Sequence, residues 1–224
     1  MKKKIPNFKF LISSILSVLL ISSCNANTIL GDKLQKTPPP TSRAIISSKN
    51  IVIQAPAGFC IDETVSNISS KPTFILFGNC AAISQSKSIT QSKVYAVLTA
   101  TVSKMKSNKI PLESKDLDNY FRSDNGRAVL STNGNPNDIV VLDSFKMDSS
   151  YFVLVKNTGQ KKSNAISDFS WRAYLKISDY IIAVAIIGFN QKPMKHDESL
   201  KIIRHFVNEI RINNGFDPTA VPIG

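Results

Sequence analysis

The chain has 224 residues, of which 42% are hydrophobic. This length predicts a single domain after processing, and this apolar content is enough for a buried core, so composition excludes a globally disordered chain. The formal net charge is +12, of which +4 lies in residues 1–23 and +3 in residues 24–50, so +5 remains on the rest of the chain. This moderate positive balance favours partners with anionic surfaces, such as lipid head groups, lipopolysaccharide or cell-wall polymers. The competing interpretation is that the lysines are solvated and only maintain solubility.

The chain begins with a segment typical of an export signal. Four lysines, at positions 2, 3, 4 and 9, precede an apolar core from Phe10 to Ile21. A membrane-spanning helix needs roughly 20 apolar residues, so this core is too short to span and has the flanks of a signal peptide. Residues 1–23 are therefore predicted to be a signal peptide, and we do not expect an exported protein to meet nucleic acid.

The end of the signal segment, Ile21–Cys24, resembles the bacterial lipobox of an aliphatic residue, two small residues and a cysteine. In proteins with that motif the cysteine receives a diacylglycerol thioether and becomes the first mature residue. The resemblance therefore predicts lipidation of Cys24 and a membrane partner through that lipid. By resemblance to Gram-negative lipoproteins, Asn25 in place of aspartate implies sorting to the outer membrane. The competing prediction is cleavage after Ala26, which gives a soluble periplasmic protein.

Residues 24–50 are predicted to form a proline-rich tether, because positions 37–42 read Thr-Pro-Pro-Pro-Thr-Ser and cannot enter a helix or a sheet interior. A domain is predicted over residues 51–212. Its first half shows alternating or continuous apolar runs and two capped polar segments. These patterns predict strands at Ile51–Gln54, Thr73–Gly78 and Val94–Val102 and helices at Asp62–Ile68 and Ser114–Ser123.

The second half is dominated by hairpin patterns, with turn residues between apolar runs. We predict strands at Arg127–Ser131, Ile139–Met147, Tyr151–Asn157, Trp171–Ile177 and Tyr180–Phe189. A final helix is predicted from a cap at Asp197 to Ile212, packed on the sheet through its apolar stripe. The fold class is therefore α+β, with a largely antiparallel sheet of seven to eight strands and two or three helices. Residues 213–224 are predicted to be a flexible tail.

Cys60 and Cys80 are the two cysteines of the predicted domain. If Cys24 is lipidated, they form an even pair in an oxidising compartment, where disulfides persist. A disulfide is therefore predicted, and closing a loop of this size stabilises the fold by about 3 kcal/mol in the chain-entropy model. The competing hypothesis is a reactive thiol with His196 or His205 as its base.

No catalytic, cofactor or metal pattern stands out in the sequence. The two histidines lack zinc-ligand spacing, and there is no serine nucleophile elbow, phosphate-binding glycine loop or dinucleotide fingerprint. Asp116, Asp118 and Asp124 surround the middle predicted helix without the glycine and closing glutamate of a calcium loop, which favours an acidic helix face. We predict no cofactor, no metal and no catalysis.

Two weaker surface hypotheses come from side-chain types. A basic rim that meets a membrane or an acidic partner is the first, and its residues fall in connections: Lys104, Lys106, Lys109, Lys161, Lys162, Lys192 and Lys195. A cleft between sheet and helices is the second, and it would be lined by four aromatic residues: Tyr95, Tyr120, Phe121 and Trp171.

Three stretches resemble a family of uncharacterised exported lipoproteins of proteobacteria: Ala55–Cys60 with Phe77–Cys80, Asp118–Arg127, and Trp171–Tyr174 before Ile187–Phe189. The order of elements over residues 51–212 also resembles the PsbP and DcrB-like fold, an antiparallel sheet between helices. This resemblance implies an accessory or binding role and supplies no functional residues.

Three functions remain open from the sequence. The leading hypothesis is a lipid-anchored periplasmic protein of accessory, scaffold or interaction type that contacts an anionic envelope polymer or an envelope protein. The second is a small-ligand or lipid-binding module that uses the cleft described above. The third is an enzyme whose site is assembled from distant residues.

Overall fold

The computed structural model describes residues 40–46, 48, 50–85, 93–105, 114–159 and 164–216. The predicted signal peptide, Cys24 and four of the rim lysines (Lys106, Lys109, Lys161 and Lys162) lie outside these ranges. No helix in the ranges is long and apolar enough to cross a membrane.

The described residues form an antiparallel seven-stranded sheet, a separate two-stranded ribbon and four helices, which confirms the predicted α+β class. The ribbon pairs β1 (Arg43–Ile46) with β2 (Ile51–Gln54). The seven-stranded sheet has the order β3-β4-β5-β9-β8-β7-β6. Its strands are β3 (Phe59–Ile61), β4 (Thr73–Asn79), β5 (Ala96–Lys104), β6 (Ile139–Met147), β7 (Ser150–Asn157), β8 (Ile166–Ile177) and β9 (Tyr180–Phe189). The helices are α1 (Cys80–Ser84), α2 (Ser114–Arg122), α3 (Asp124–Leu130) and α4 (His196–Ile212).

The main core lies on one face of the sheet, under α4. Leu98 of β5 pairs with Ile186 of β9, and both side chains are fully buried on this face. Phe206 of α4 lies over the sheet, with its ring centroid 5.5 Å from that of Phe77 in an edge-to-face contact. The apolar stripe of α4 is therefore buried against the sheet, as the helical spacing predicts.

A second, smaller core lies on the opposite face, under α2 and α3. Alternate residues of a strand point to opposite faces, so Phe152 joins the main core whereas Tyr151 and Val153 join the smaller one. Phe121 of α2 and Leu130 of α3 complete this second core. Around β7 the two faces of the sheet thus belong to different cores.

Two predicted elements are wrong. The helix predicted at Asp62–Ile68 is a turn, because the Asp62 carboxylate accepts from the Thr64 amide and hydroxyl instead of capping a helix. Asn67 then forms a bridge with Phe74 of β4. The strand predicted at Arg127–Ser131 belongs to α3 and its C-terminal end. The short helix α1, which begins at Cys80, was not predicted.

Both ends of the predicted domain extend further than the sequence indicates. The strand β1 lies inside the segment predicted as a tether, so that prediction is wrong for Arg43–Ile46. Burial alternates along β1, and its two buried residues, Ala44 and Ile46, belong to the main core. This packing fixes the strand on the domain. Asn214, in the predicted tail, donates to the Val52 carbonyl at 2.7 Å and accepts from its amide at 3.0 Å. The ribbon is therefore held against the end of α4.

Candidate functional site

The two domain cysteines form the predicted disulfide. Cys60 of β3 and Cys80 at the start of α1 are joined, with 4.8 Å between their Cα atoms. The two sulfurs are therefore not available as the nucleophile of the competing hypothesis. The link ties the edge strand β3 to the helix that follows β4.

The four aromatic residues predicted to line a cleft do not meet. Trp171 is only 3% exposed in the main core, and its indole N–H donates to the His196 carbonyl. Phe121 is buried on the other face of the sheet, stacked on the rings of Tyr151 and Tyr174. Tyr95 and Tyr120 are exposed at separate places, on β5's N-terminal side and on α2. The predicted aromatic cleft is therefore wrong; the two buried members pack in the cores.

The described rim lysines lie at opposite ends of the sheet. Lys104 ends β5, whereas the Lys192 ammonium lies 4.1 Å from the ring centre of Tyr95, just before the start of β5. The length of β5 separates them by roughly 26 Å, at about 3.3 Å per residue. Lys195 directly precedes α4, on the Lys192 side. A single rim that includes Lys104 and Lys192 is therefore wrong.

The histidines have ordinary structural contacts. The His205 ring lies 3.2 Å from the Glu209 carboxylate one turn along α4, and the His196 ring lies against Phe169. Among the described residues no group of three or more histidine, cysteine, aspartate or glutamate side chains could hold a metal ion.

The corner between α2 and α3 builds a polar constellation that the sequence did not predict. Ser123 accepts from the Gly126 amide and so caps α3 directly after α2 ends at Arg122. Gly126 is required there, because a Cβ atom would lie 2.6 Å from the Phe121 Cα atom and closer still to the Tyr120 carbonyl oxygen. This tight corner turns Arg122 and Arg127 toward each other and toward the edge strand β6.

Asp118 joins α2 to the sheet at this corner. Its carboxylate accepts hydrogen bonds from the Ser144 hydroxyl of β6 and, at 3.0 Å, from the Tyr151 hydroxyl of β7. It also accepts from Arg122 Nε, which lies 3.0 Å from both of its oxygens. Arg122 Nη2 in turn donates to Ser144 at 3.2 Å. The Asp118 cluster (Asp118, Arg122, Ser144 and Tyr151) thus spans one helix and two strands.

The pKa shifts of Asp118 and Tyr151 argue against acid–base chemistry by this cluster near neutral pH. The hydrogen bond from Ser144 is the main cause that lowers the pKa of Asp118 below its usual value of 3.8, and the Arg122 contacts add to it. Burial raises the pKa of Tyr151 to about 12. A carboxylate with a lowered pKa is a weak base for the Ser144 hydroxyl. The arrangement is suited to fixing α2 on the sheet.

A cavity of about 260 Å³ lies beside this cluster, between the α2–α3 corner and β6. Arg122 and Arg127 line one side, and Ile139, Val140 and Val141 line the other. We call it the arginine cavity. None of the four aromatic residues predicted to line a cleft borders this cavity.

Sequence reasoning treated the acidic residues of this region as a solvated helix face. Asp118 and Arg122 are four residues apart and form an ion pair on α2, and Asp124 and Arg127 form a second pair, at 2.6 Å, on α3. Such spacing indicates paired charges on a helix. It could have identified both arginines as oriented side chains, although not their approach to β6.

Comparison with solved structures adds a structural similarity. The chain is similar to the solution structure of cyanobacterial PsbP (CyanoP) from Synechocystis sp. PCC 6803, with 11% identity and a TM-score of 0.43 over 82% of this chain and 96% of that chain. No protein-family model and no curated protein matches the chain.

Proposed function

We propose that this protein is exported, anchored through a lipid on Cys24 to the periplasmic side of the outer membrane, and serves there as a non-catalytic accessory or scaffold protein. One observation carries the proposal. Cys60 and Cys80 are bonded to each other, which leaves Cys24, the third cysteine of the chain, without a partner in the same chain. A cysteine in that position directly after an apolar signal core is the acceptor that lipoprotein processing uses.

The energetics of anchoring agree with this role. Each buried CH₂ group of a fatty chain contributes about 0.8 kcal/mol to membrane binding, and two or more chains together hold a protein stably. A disulfide in the domain supports an oxidising compartment. The chain between residues 24 and 40 can reach at most roughly 55 Å when fully extended, so the anchored domain would stay near the membrane surface. Contact with an anionic envelope polymer or an envelope protein remains a prediction.

Metabolic labelling with radioactive palmitate in a Gram-negative host tests the anchor. We expect label in the wild-type chain and none in Cys24→Ser, because serine offers no thiol for the thioether. Asn25→Asp is the matched control: it should keep the label but move the protein from the outer to the inner membrane fraction. Label that persists in Cys24→Ser would overturn the anchor, and an unchanged distribution of Asn25→Asp would overturn the sorting prediction.

The accessory role has a separate test. Cross-linking in intact cells followed by capture of the wild-type chain should recover an envelope protein or wall polymer. The Cys24→Ser chain should not capture that partner if the lipid anchor is what brings the domain close to it. Recovery of no envelope component from the wild-type chain would count against the role.

Ligand binding is the second candidate function, and the arginine cavity favours it. The cavity lies between helices and sheet, has charged groups on one wall and apolar groups on the other, and opens beside an edge strand. Small-molecule sites commonly combine an apolar wall with a few fixed polar groups.

A further inference from the structure

We propose that the arginine cavity binds a small molecule in which an anionic group, carboxylate or phosphate, is joined to a short apolar chain. This inference names the ligand class for the second candidate function. It does not depend on the anchor at Cys24, because every residue of the cavity belongs to the described domain.

The position of the cavity along β6 indicates access from outside the sheet. Ile139, Val140 and Val141 are consecutive, so their side chains alternate between the two faces of the sheet. A cavity that touches all three therefore runs along an edge of the strand. The inner edge of β6 is paired with β7, and β6 is the last strand of the sheet. The cavity lies along the outer edge, where a ligand can enter.

The arginines are held in place before any ligand binds. Arg127 donates from Nη1 to the Arg122 carbonyl at 3.1 Å and from Nη2 to Asp124 at 2.6 Å. Arg122 is fixed by Asp118 and Ser144, as described above. Side chains that are already ordered lose little entropy on binding, which favours affinity.

Each guanidinium group retains donors for a ligand. A guanidinium has five N–H groups, and the hydrogen bonds above use only part of them. Among the described residues Arg127 Nε is enclosed and has no hydrogen-bond partner, although a buried N–H without an acceptor is costly. Because Arg127 Nε has almost no accessible surface, a ligand oxygen would accept instead from the free Nη hydrogens of the two guanidinium groups. Planar guanidinium groups match the geometry of carboxylate and phosphate oxygens.

The acidic partners weaken this attraction without cancelling it. The Asp124 side chain is 80% exposed, so its ion pair with Arg127 is a surface pair that water screens. Asp118 accepts from Ser144, Tyr151 and Arg122, which spreads its charge over three donors. Water therefore screens the charge of Asp124, and hydrogen bonds to three donors offset the charge of Asp118. An added anion is still attracted by the two guanidinium groups.

The volume of the arginine cavity and its border on β6 indicate what the non-anionic part of the ligand is. Pockets for drug-sized ligands measure roughly 300–1,000 Å³. A cavity of about 260 Å³ suits a smaller molecule, and the residues of β6 that border it have aliphatic side chains. A chain of a few carbon atoms next to the anionic group would bury apolar surface there.

The test is an NMR titration of the purified full chain with butyrate, butyl phosphate and butanol as probes. The readout is the Arg127 Nε–H resonance, assigned by its loss in Arg127→Gln. Butyrate or butyl phosphate should move this resonance, whereas uncharged butanol should not. Tighter binding of butyrate would indicate a carboxylate ligand, and tighter binding of butyl phosphate would indicate a phosphate ligand.

Two variants and one control complete the design. Arg127→Gln should weaken binding at least tenfold, as followed by amide resonances of β6. Val140→Asp adds a negative charge at a cavity position that is 43% exposed, so it should fold and also weaken binding at least tenfold. Arg204→Gln, an exposed arginine on α4, should leave affinity within twofold. No binding of either anion, equal binding of butanol, or unchanged affinity in Val140→Asp would overturn the proposal.

Discussion

Replacing Gly126 by alanine tests the corner that positions both arginines. The new Cβ atom would lie 2.6 Å from the Phe121 Cα atom, and the Tyr120 carbonyl oxygen is closer still. Non-bonded carbon atoms prefer about 3.5–4.0 Å, so the backbone of α2 or α3 must move by roughly 1 Å. Overpacking of this kind costs typically about 1–3 kcal/mol. In a chain of this size that loss corresponds to a fall in Tm of roughly 2–12 °C.

Denaturant unfolding followed by circular dichroism measures the effect, with Gly78→Ala as the matched control. At Gly78 the nearest atom to an added Cβ is Ile83 Cδ1, at 3.3 Å, which is the end of a flexible side chain. We expect the control to lose less than about 1 kcal/mol, because alanine also restricts the unfolded chain. Equal stabilities of Gly126→Ala and wild type would refute the close packing of the corner.

Three further predictions concern the cores, the disulfide and pH. Phe206→Ala should lower the free energy of unfolding by about 3–5 kcal/mol in urea titrations, because it opens a cavity beside Phe77; a loss under 1 kcal/mol would contradict this packing. Joint replacement of Cys60 and Cys80 by serine should cost about 3 kcal/mol, and dithiothreitol should destabilise wild type but not this variant. Burial raises the pKa of Tyr151 from 10.0 in a free tyrosine to about 12, so its contribution to stability is full below pH 10 and is lost as pH rises toward 12. Wild type should therefore lose more stability between pH 9 and 11 than Tyr151→Phe, and parallel pH profiles of the two would contradict that assignment.

Strong local patterns allowed the best sequence predictions. The hairpin of β8 and β9 has alternating or continuous apolar residues on both sides of a short turn, and the apolar stripe of α4 has helical spacing. Both elements were predicted because the pattern alone decides them. The disulfide was predicted because the compartment and the even pair of domain cysteines allow few alternatives.

Errors arose where one local signal fits two structures. Asp62 can cap a helix or close a turn, and the Asn67–Phe74 bridge decided for the turn. A helix is predicted to end at Ser123, whereas Ser123 caps a second helix, α3, which includes most of the strand predicted at Arg127–Ser131. Trp171 was placed in a cleft because a sequence does not distinguish a buried aromatic residue from one that lines a pocket.

The arginine cavity could not be predicted for a different reason. Arg122 and Arg127 are close in sequence, but Val140 reaches them only when the α2–α3 corner lies over the edge of the sheet. That placement depends on the hydrogen bonds of Asp118 with β6 and β7. Tertiary contacts of this kind leave no periodic pattern in the chain.

The most direct test of the proposed anchor is an intact mass of the protein purified from membranes of its native host, with and without reductant before alkylation. The account predicts a chain that begins at Cys24, is heavier by a triacyl group, and has Cys60 and Cys80 unreactive until reduced. A soluble chain that begins at Asn27 would contradict the anchor. Alkylation of Cys60 or Cys80 without reductant would contradict the disulfide and with it the argument that leaves Cys24 without a partner.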